Sequence, residues 1–307
     1  MEVRQLQTFC ILAEELNFTR TAERVHTVQS NVTSQIKSLE AELGVPLFDR
    51  LGKRVVLTEA GRRFRPYAER ALAAMDQGHH AVKFGNEPAG PLRIGSPESV
   101  MTYRLPEVLK LFRKRYPKVD LIFHPDSQER LADALENGKL DLAISMSRRF
   151  AGPQISSINM QTEDIYLFTT PDHPLFKAKK VYPKDLTDQT LLLTETGCGY
   201  RMMLEAQLAS AKVRPQNITE FSSIEAIKQC VMAGMGVGLL PEMVIASELK
   251  KKQFAVLNWQ GAKMSIATSI VWHKDRWMSP GMQAFLDVVT ATLQEAGTPT
   301  LVQERAS

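Results

Sequence analysis

Thr27-Val28-Gln29-Ser30-Asn31-Val32-Thr33-Ser34-Gln35-Ile36-Lys37-Ser38-Leu39-Glu40-Ala41-Glu42-Leu43-Gly44-Val45-Pro46 decides the reading of this chain. Val28, Val32, Ile36, Leu39 and Leu43 recur at three- and four-residue steps, which predicts a helix with one apolar stripe. Thr27 is the expected N-cap, and Gly44 with Pro46 ends the helix. The opposite face carries Gln29, Ser30, Asn31, Thr33, Ser34 and Lys37, where an ordinary surface helix would carry Glu and Lys. Small hydroxyls and amides suit the donor and acceptor edges of bases in a major groove, and a helix N-terminus favours a nearby phosphate.

Working outward, Leu6, Phe9, Ala13 and Leu16 mark an apolar face of an earlier helix, and Thr19 is the expected cap of a short second helix with Ala22 and Val25. Three short helices, the last two joined by a tight turn, fit a helix-turn-helix. Residues 46–50 and 54–57 alternate as two strands around Leu51-Gly52-Lys53, a hairpin whose Arg50, Lys53 and Arg54 could lie along a phosphate backbone. With Thr19 and Arg20, these residues form the expected DNA-binding set. From Arg50 to Arg70 seven basic residues (Arg50, Lys53, Arg54, Arg62, Arg63, Arg65, Arg70) stand against Glu59 and Glu69. That local excess says more than the net charge of +4.

Several stretches resemble the LysR-type transcriptional regulators: Asn17-Phe18-Thr19-Arg20-Thr21-Ala22-Glu23-Arg24, Gln29-Ser30-Asn31-Val32-Thr33, Leu39-Glu40-Ala41-Glu42-Leu43-Gly44-Val45-Pro46-Leu47-Phe48-Asp49-Arg50, and Leu57-Thr58-Glu59-Ala60-Gly61. The resemblance is dense over 1–61 and looser to about residue 295. The family commonly carries Pro-Ala and Ser where this chain has Ser30-Asn31 and Thr33, which puts the base preference, not the DNA contact, in question.

After Thr58, a capping candidate, Gly61, Phe64, Ala68, Ala71, Met75, Gly78 and Val82 follow a three-four spacing, a coiled-coil-like seam in a long helix with a kink expected at Pro66. The resemblance implies that such linker helices pair two subunits into a homodimer and that dimers assemble into a homotetramer. Double-stranded operator DNA, a small-molecule effector and RNA polymerase are the partners expected. His79 and His80 are adjacent and cannot share one helical face, so they are read as surface residues.

Asn86-Glu87-Pro88-Ala89-Gly90-Pro91 breaks the helix and sets a domain boundary. The expected division is a winged helix-turn-helix at 1–58, a linker helix at 59–87 and an effector-binding domain at 88–300. Beyond the boundary, strands at 92–95, 119–123, 140–145, 165–169, 191–194, 218–221, 237–240 and 264–273 alternate with helices at 99–116, 128–137, 201–211, 224–233 and 283–296. This is an α/β pattern with mostly parallel strands. The resemblance implies two Rossmann-like subdomains, about 90–162 with 269–297 and about 163–268, joined by crossover strands as in periplasmic binding proteins, with an effector between them.

In open α/β sheets ligands sit beyond the carboxyl ends of strands. That rule selects Ser96, Glu98, Ser99, Ser127, Ser145, Thr194, Cys198 and Ser223, although helix capping explains each hydroxyl as well as ligand contact does. Helix N-termini with Arg104, Arg148, Arg149 and Arg201 favour a small organic anion as effector, while Glu98 and Glu195 pull the other way.

Composition narrows the alternatives. Apolar residues make up 44% and charged residues 23% of 307, an ordinary globular balance with two or three compact units expected. No apolar run is long enough to cross a bilayer and no signal peptide opens the chain, so a cytoplasmic protein is expected, with no membrane partner. Cys10, Cys198 and Cys230 are too scattered for a zinc site or a disulfide framework, and Cys198 and Cys230 are read as ordinary cysteines. GxxxxGK[ST], HExxH and GxSxG are absent, and the Gly234, Gly236, Gly238 run leads into a strand instead of opening a helix. No catalysis, cofactor or metal is expected. The rival readings are a solute-binding receptor and a metabolite-binding enzyme with an appended DNA-binding head.

Overall fold

The structure, a computed structural model, describes residues 1–51, 54–146 and 154–294. Met1–Asn86 with Ala134–Leu140 forms one compact unit, and Glu87–Asp133 with the chain from Asp141 onward forms a second.

In the first unit α1 (Val3–Glu15), α2 (Phe18–Arg24) and α3 (Gln29–Leu43) precede strands β1 (Phe48–Leu51) and β2 (Arg54–Leu57) and the long helix α4 (Glu59–Phe84). Their shared core is Leu6, Phe9, Leu12, Phe18, Val32, Ile36, Leu39 and Leu47. Phe9 anchors it, with its ring 5.4 Å from Phe48 and 5.1 Å from Phe64. The caps differ from expectation. Asn17, not Thr19, caps α2, its Oδ1 accepting the N–H groups of Thr19 and Arg20 at 2.9 and 3.1 Å. Val28, not Thr27, precedes α3, and the Thr27 hydroxyl instead accepts from the Asn31 amide at 2.9 Å. The stripe is buried only in its middle: Val28 is 61% and Leu43 37% exposed. Gly44 closes α3 in the left-handed region at φ 72°.

β1 and β2 pair antiparallel, Phe48 opposite Leu57 through Leu51 opposite Arg54. Thr58 caps α4, accepting the Gly61 N–H at 2.9 Å. Gly61 then passes so close to the wing that a Cβ there would lie 2.2 Å from the Leu47 carbonyl oxygen. α4 continues through Pro66 for 26 residues.

From Glu87 onward the chain runs β3 (Gly90–Ser96), α5 (Glu98–Tyr103), α6 (Leu105–Arg115), β4 (Val119–Pro125), α7 (Gln128–Glu136, its end counted with the first unit), β5 (Leu142–Ser145) and β6 (Ile155–Thr169). It continues through α8 (Pro174–Lys177), β7 (Thr190–Thr194), α9 (Gly199–Ser210), β8 (Asn217–Phe221), α10 (Ile224–Met232) and β9 (Val237–Pro241). It ends with α11 (Glu242–Lys250), β10 (Ala255–Val256), β11 (Ser265–His273) and α12 (Pro280–Gln294). Among the described residues the strand order is β4-β3-β5-β11-β6-β9-β7-β8, with β10 beside β6.

β3, β4 and β5 run parallel, as do β7, β8 and β9, whereas β6 and β11 are antiparallel to each other and to their outer neighbours. β11 pairs with β5 over Ser269–Val271, and β6 pairs with β9 over Ile165–Phe168, so these two long strands carry the chain between the parallel halves. Two expectations need correction. The helix expected at 99–116 is two helices broken at Arg104, because Pro106 brings no N–H to a continuous ladder. The strand expected from residue 165 starts at Ile155.

Candidate DNA-reading helix and candidate effector cleft

α3 is positioned from behind and from its end. Val32, Ile36 and Leu39 are buried against the other helices, which turns Gln29, Ser30, Asn31, Ser34 and Lys37 outward, all exposed. Thr33 is half-buried, its hydroxyl donating to the Gln29 carbonyl at 3.0 Å. Thr19 and Arg20, exposed on α2, lie beside this face, and the Thr19 hydroxyl donates to Gln29 Oε1 at 3.3 Å. The chain turns from α2 to α3 through His26 at φ 52°, with the Thr27 N–H donating to the Ala22 carbonyl. Glu40 ties α3 to the wing by accepting the N–H groups of Leu47 and Phe48.

The wing carries Arg54, exposed at the start of β2, and the backbone of Arg50 in β1. Lys53 lies outside the described residues, as do Arg148 and Arg149. The basic run is less free than its count suggests. Arg62 and Arg63 both approach Glu59, Arg65 pairs with buried Glu69 at 2.8 Å, and the Arg70 guanidinium stacks 4.7 Å over Tyr67. Among the described residues, Arg20 on α2, Lys37 on α3 and Arg54 on the wing are exposed basic side chains. The α4 seam also divides: Gly61 and Ala68 are buried in the first unit, while Met75 is 50% and Val82 89% exposed.

In the second unit the carboxyl ends of the parallel strands open into a cavity of about 510 Å³. Five of the expected effector-binding residues line it: Glu98, Ser99, Ser127, Thr194 and Cys198. Three do not. Ser96 is fully buried and donates to the Pro97 carbonyl, Ser145 is buried inside β5, and Ser223 stands at the N-cap of α10 between two lining residues, Ser222 and Ile224. Sequence reasoning missed Gln128, at the start of α7, whose amide nitrogen and oxygen are both buried without a hydrogen-bond partner.

The cavity wall is chemically uneven. Ser99 donates to the Met146 sulfur at 3.6 Å. Burial pushes the thiol of Cys198 and the hydroxyl of Tyr200 above their ordinary pKa values, partly offset by the Thr194 hydroxyl. A thiol so raised is a poor nucleophile. Cys10, buried in the first unit, is pushed up to about 12, chiefly by burial. Of the arginines on which an anionic effector was expected, the two among the described residues, Arg104 and Arg201, are committed elsewhere. Arg104 grips Glu163 through two bonds of 2.7 and 2.8 Å. Arg201 donates to Glu205, Glu220 and the Thr194 carbonyl. Among the described residues no group of three or more His, Cys, Asp or Glu converges as a metal site, and no helix is long and apolar enough to cross a membrane.

A winged helix-turn-helix joined to an α/β domain with a cavity at its strand ends defines a DNA-binding regulator with its own sensing domain. The family model described as the bacterial regulatory helix-turn-helix protein, lysR family, matches residues 3–62, and that of the LysR substrate binding domain matches residues 85–294. The chain is 43% identical over 295 residues to YwqM of Bacillus subtilis, an uncharacterized HTH-type transcriptional regulator, covering 96% of this chain and 100% of that one. It is 31% identical to the HTH-type transcriptional regulator GltR of the same organism, covering 93% and 95%.

Among solved structures, a full-length OxyR variant of Pseudomonas aeruginosa superposes with a TM-score of 0.70 at 25% identity, covering 96% of this chain and 95% of that one. CbnR in complex with its target DNA shares the fold at a TM-score of 0.65 and 24% identity, covering 95% and 100%. The chain belongs to the LysR family of bacterial transcription regulators. It is a DNA-binding transcription regulator whose activity is modulated by a small-molecule effector bound by its α/β domain.

Proposed function

We propose that operator recognition is carried by Gln29, Ser30, Asn31, Thr33, Ser34 and Lys37, with Thr19 and Arg20 beside them, while Arg50, Lys53 and Arg54 follow the phosphates. The observation that supports this is the α3 face of amides and hydroxyls with the single cation Lys37, held outward by the buried Val32, Ile36 and Leu39. Base edges in a major groove offer donors and acceptors that such a face matches. The partner is double-stranded DNA in the cytoplasm. Each head reads few base pairs, so two are needed on one operator. The exposed Met75 and Val82 half of α4 is the surface we assign to a homodimer, with two dimers forming a tetramer and RNA polymerase engaged at the promoter.

We assign 1–58 to the winged head, 59–87 to the linker helix and 88–300 to the effector domain, with subdomains 90–162 plus 269–297 and 163–268. The effector occupies the cavity lined by Glu98, Ser99, Ser127, Thr194 and Cys198, and the protein acts by binding, without turnover of that ligand.

The test is a titration of the protein against its own upstream DNA and a scrambled duplex over a salt series. Preference for the upstream DNA should persist at moderate salt. Arg54→Ala should weaken binding to both duplexes alike and reduce the salt slope by about one unit. Equal affinity for both duplexes at every salt concentration would contradict specific reading.

A further inference from the structure

We infer that the cleft takes a small organic cation, an amine or guanidine that also carries a hydrogen-bond acceptor; this rests on reading the cleft as the effector site. An anion in such a cleft would be held by helix N-termini and by uncommitted basic side chains. Two of the helix N-termini beside the cavity, and the basic lining side chain among the described residues, already face the protein's own carboxylates. Glu98 receives the Ile224 N–H at the N-terminus of α10 at 3.4 Å. Asp126 receives the Ser127 N–H just before α7 at 2.8 Å. Arg130, the basic side chain among the described lining residues, is 3.4 Å from Asp126.

What faces the cavity without a basic partner is acidic. The carboxylates of Glu98 and Glu195 come from opposite subdomains, and neither meets a basic side chain among the described residues. Two further groups need a ligand. Thr194 is 5% exposed, and its hydroxyl has no partner of hydrogen-bonding geometry, although the Cys198 thiol and the Tyr200 hydroxyl are its neighbours. The Gln128 amide has both a buried donor and a buried acceptor unmet. Buried polar groups without partners are costly, so their presence in a cavity wall points to a molecule that completes them. A cation satisfies the carboxylates and the Gln128 oxygen, and an acceptor on the same ligand satisfies the Gln128 nitrogen.

The experiment is calorimetric titration of the full-length protein with argininamide and agmatine against glutarate and succinate. Argininamide should bind, and Glu98→Gln and Glu195→Gln should each weaken it about tenfold, as loss of a charge-assisted hydrogen bond does. Agmatine, which lacks the carbonyl, should bind more weakly than argininamide, and Gln128→Leu should abolish that difference. Glu98 is exposed and Glu195 half-buried, so both variants should melt as the wild type does without ligand. Silence from both cations overturns the inference. Binding of glutarate that Gln128→Leu removes and Glu195→Gln leaves unchanged or tightens would also overturn it, while keeping the cleft as the effector site. Argininamide binding that Gln128→Leu and Thr194→Val both leave unchanged would remove the cleft reading itself.

Discussion

The Glu40 carboxylate on α3 accepts the backbone N–H of Leu47 at the foot of the wing at 2.7 Å, and that of Phe48 at 3.2 Å. One side chain thus fixes the distance between the element that reads bases and the element that follows phosphates. Glu40→Ala leaves two backbone donors unmet, one on fully buried Leu47. It should lower stability by roughly 1–2 kcal/mol in urea titrations and weaken DNA binding further. Glu40→Gln keeps an acceptor and should recover most of both losses. An Ala variant indistinguishable from wild type in both assays would show that the wing is positioned by other contacts.

At the break between α5 and α6, Arg104 makes a bidentate pair with Glu163, which is buried on β6 and also accepts from Gln161. Arg104→Met should strand that carboxylate and destabilise the protein by roughly 2–4 kcal/mol, the loss moderated by the partial exposure of Arg104. Adding Glu163→Leu should return part of the loss. Additive losses in the double variant would mean that the pair is not what holds this joint.

His173 caps α8 by accepting the Leu175 N–H at its Nδ1 at 3.2 Å, and burial holds its imidazole below the ordinary value of 6.5. Between these two values the unfolded chain binds the proton and the native chain does not, so stability falls as pH drops through 6.5. His173→Asn, which keeps a capping acceptor, should flatten that slope in thermal melts taken from pH 7.5 to about 5.5. A wild-type protein whose melting temperature is level across this window would contradict the assignment.

Much of the first unit was legible because its helices are buried on one side only, so hydrophobic period reports orientation directly. The caps were not. At Asn17 and Val28 a neighbouring Thr offered an equally good hydroxyl, and only the backbone shows which residue leaves the helix. Val28 and Leu43 fit the stripe yet reach past the core of the three helices into solvent. In the second unit the short apolar strands stood out, but the polar first two-thirds of β6, with Ser156, Ser157, Asn159 and Gln161, resembled a loop. Its strand character comes from pairing with β11, a partner more than a hundred residues away. The break at Arg104 did have a signal in Pro106. The strand-end rule located the cleft and five of its lining residues. Gln128 was invisible because a Gln at a helix start is commonplace, and only the folded chain shows its amide buried and unmet.

The central claim is that the amide-and-hydroxyl face of α3 reads sequence, and it is tested most directly by competition binding of wild type and Gln29→Ala to the chain's own upstream DNA and to a scrambled duplex at one moderate salt concentration. Gln29 is exposed, so the substitution should leave the fold and the affinity for scrambled DNA unchanged. Removing one amide contact to a base edge should lower the ratio of the two affinities by about tenfold. A Gln29→Ala protein that keeps the wild-type ratio, or that loses affinity for both duplexes equally, would contradict it.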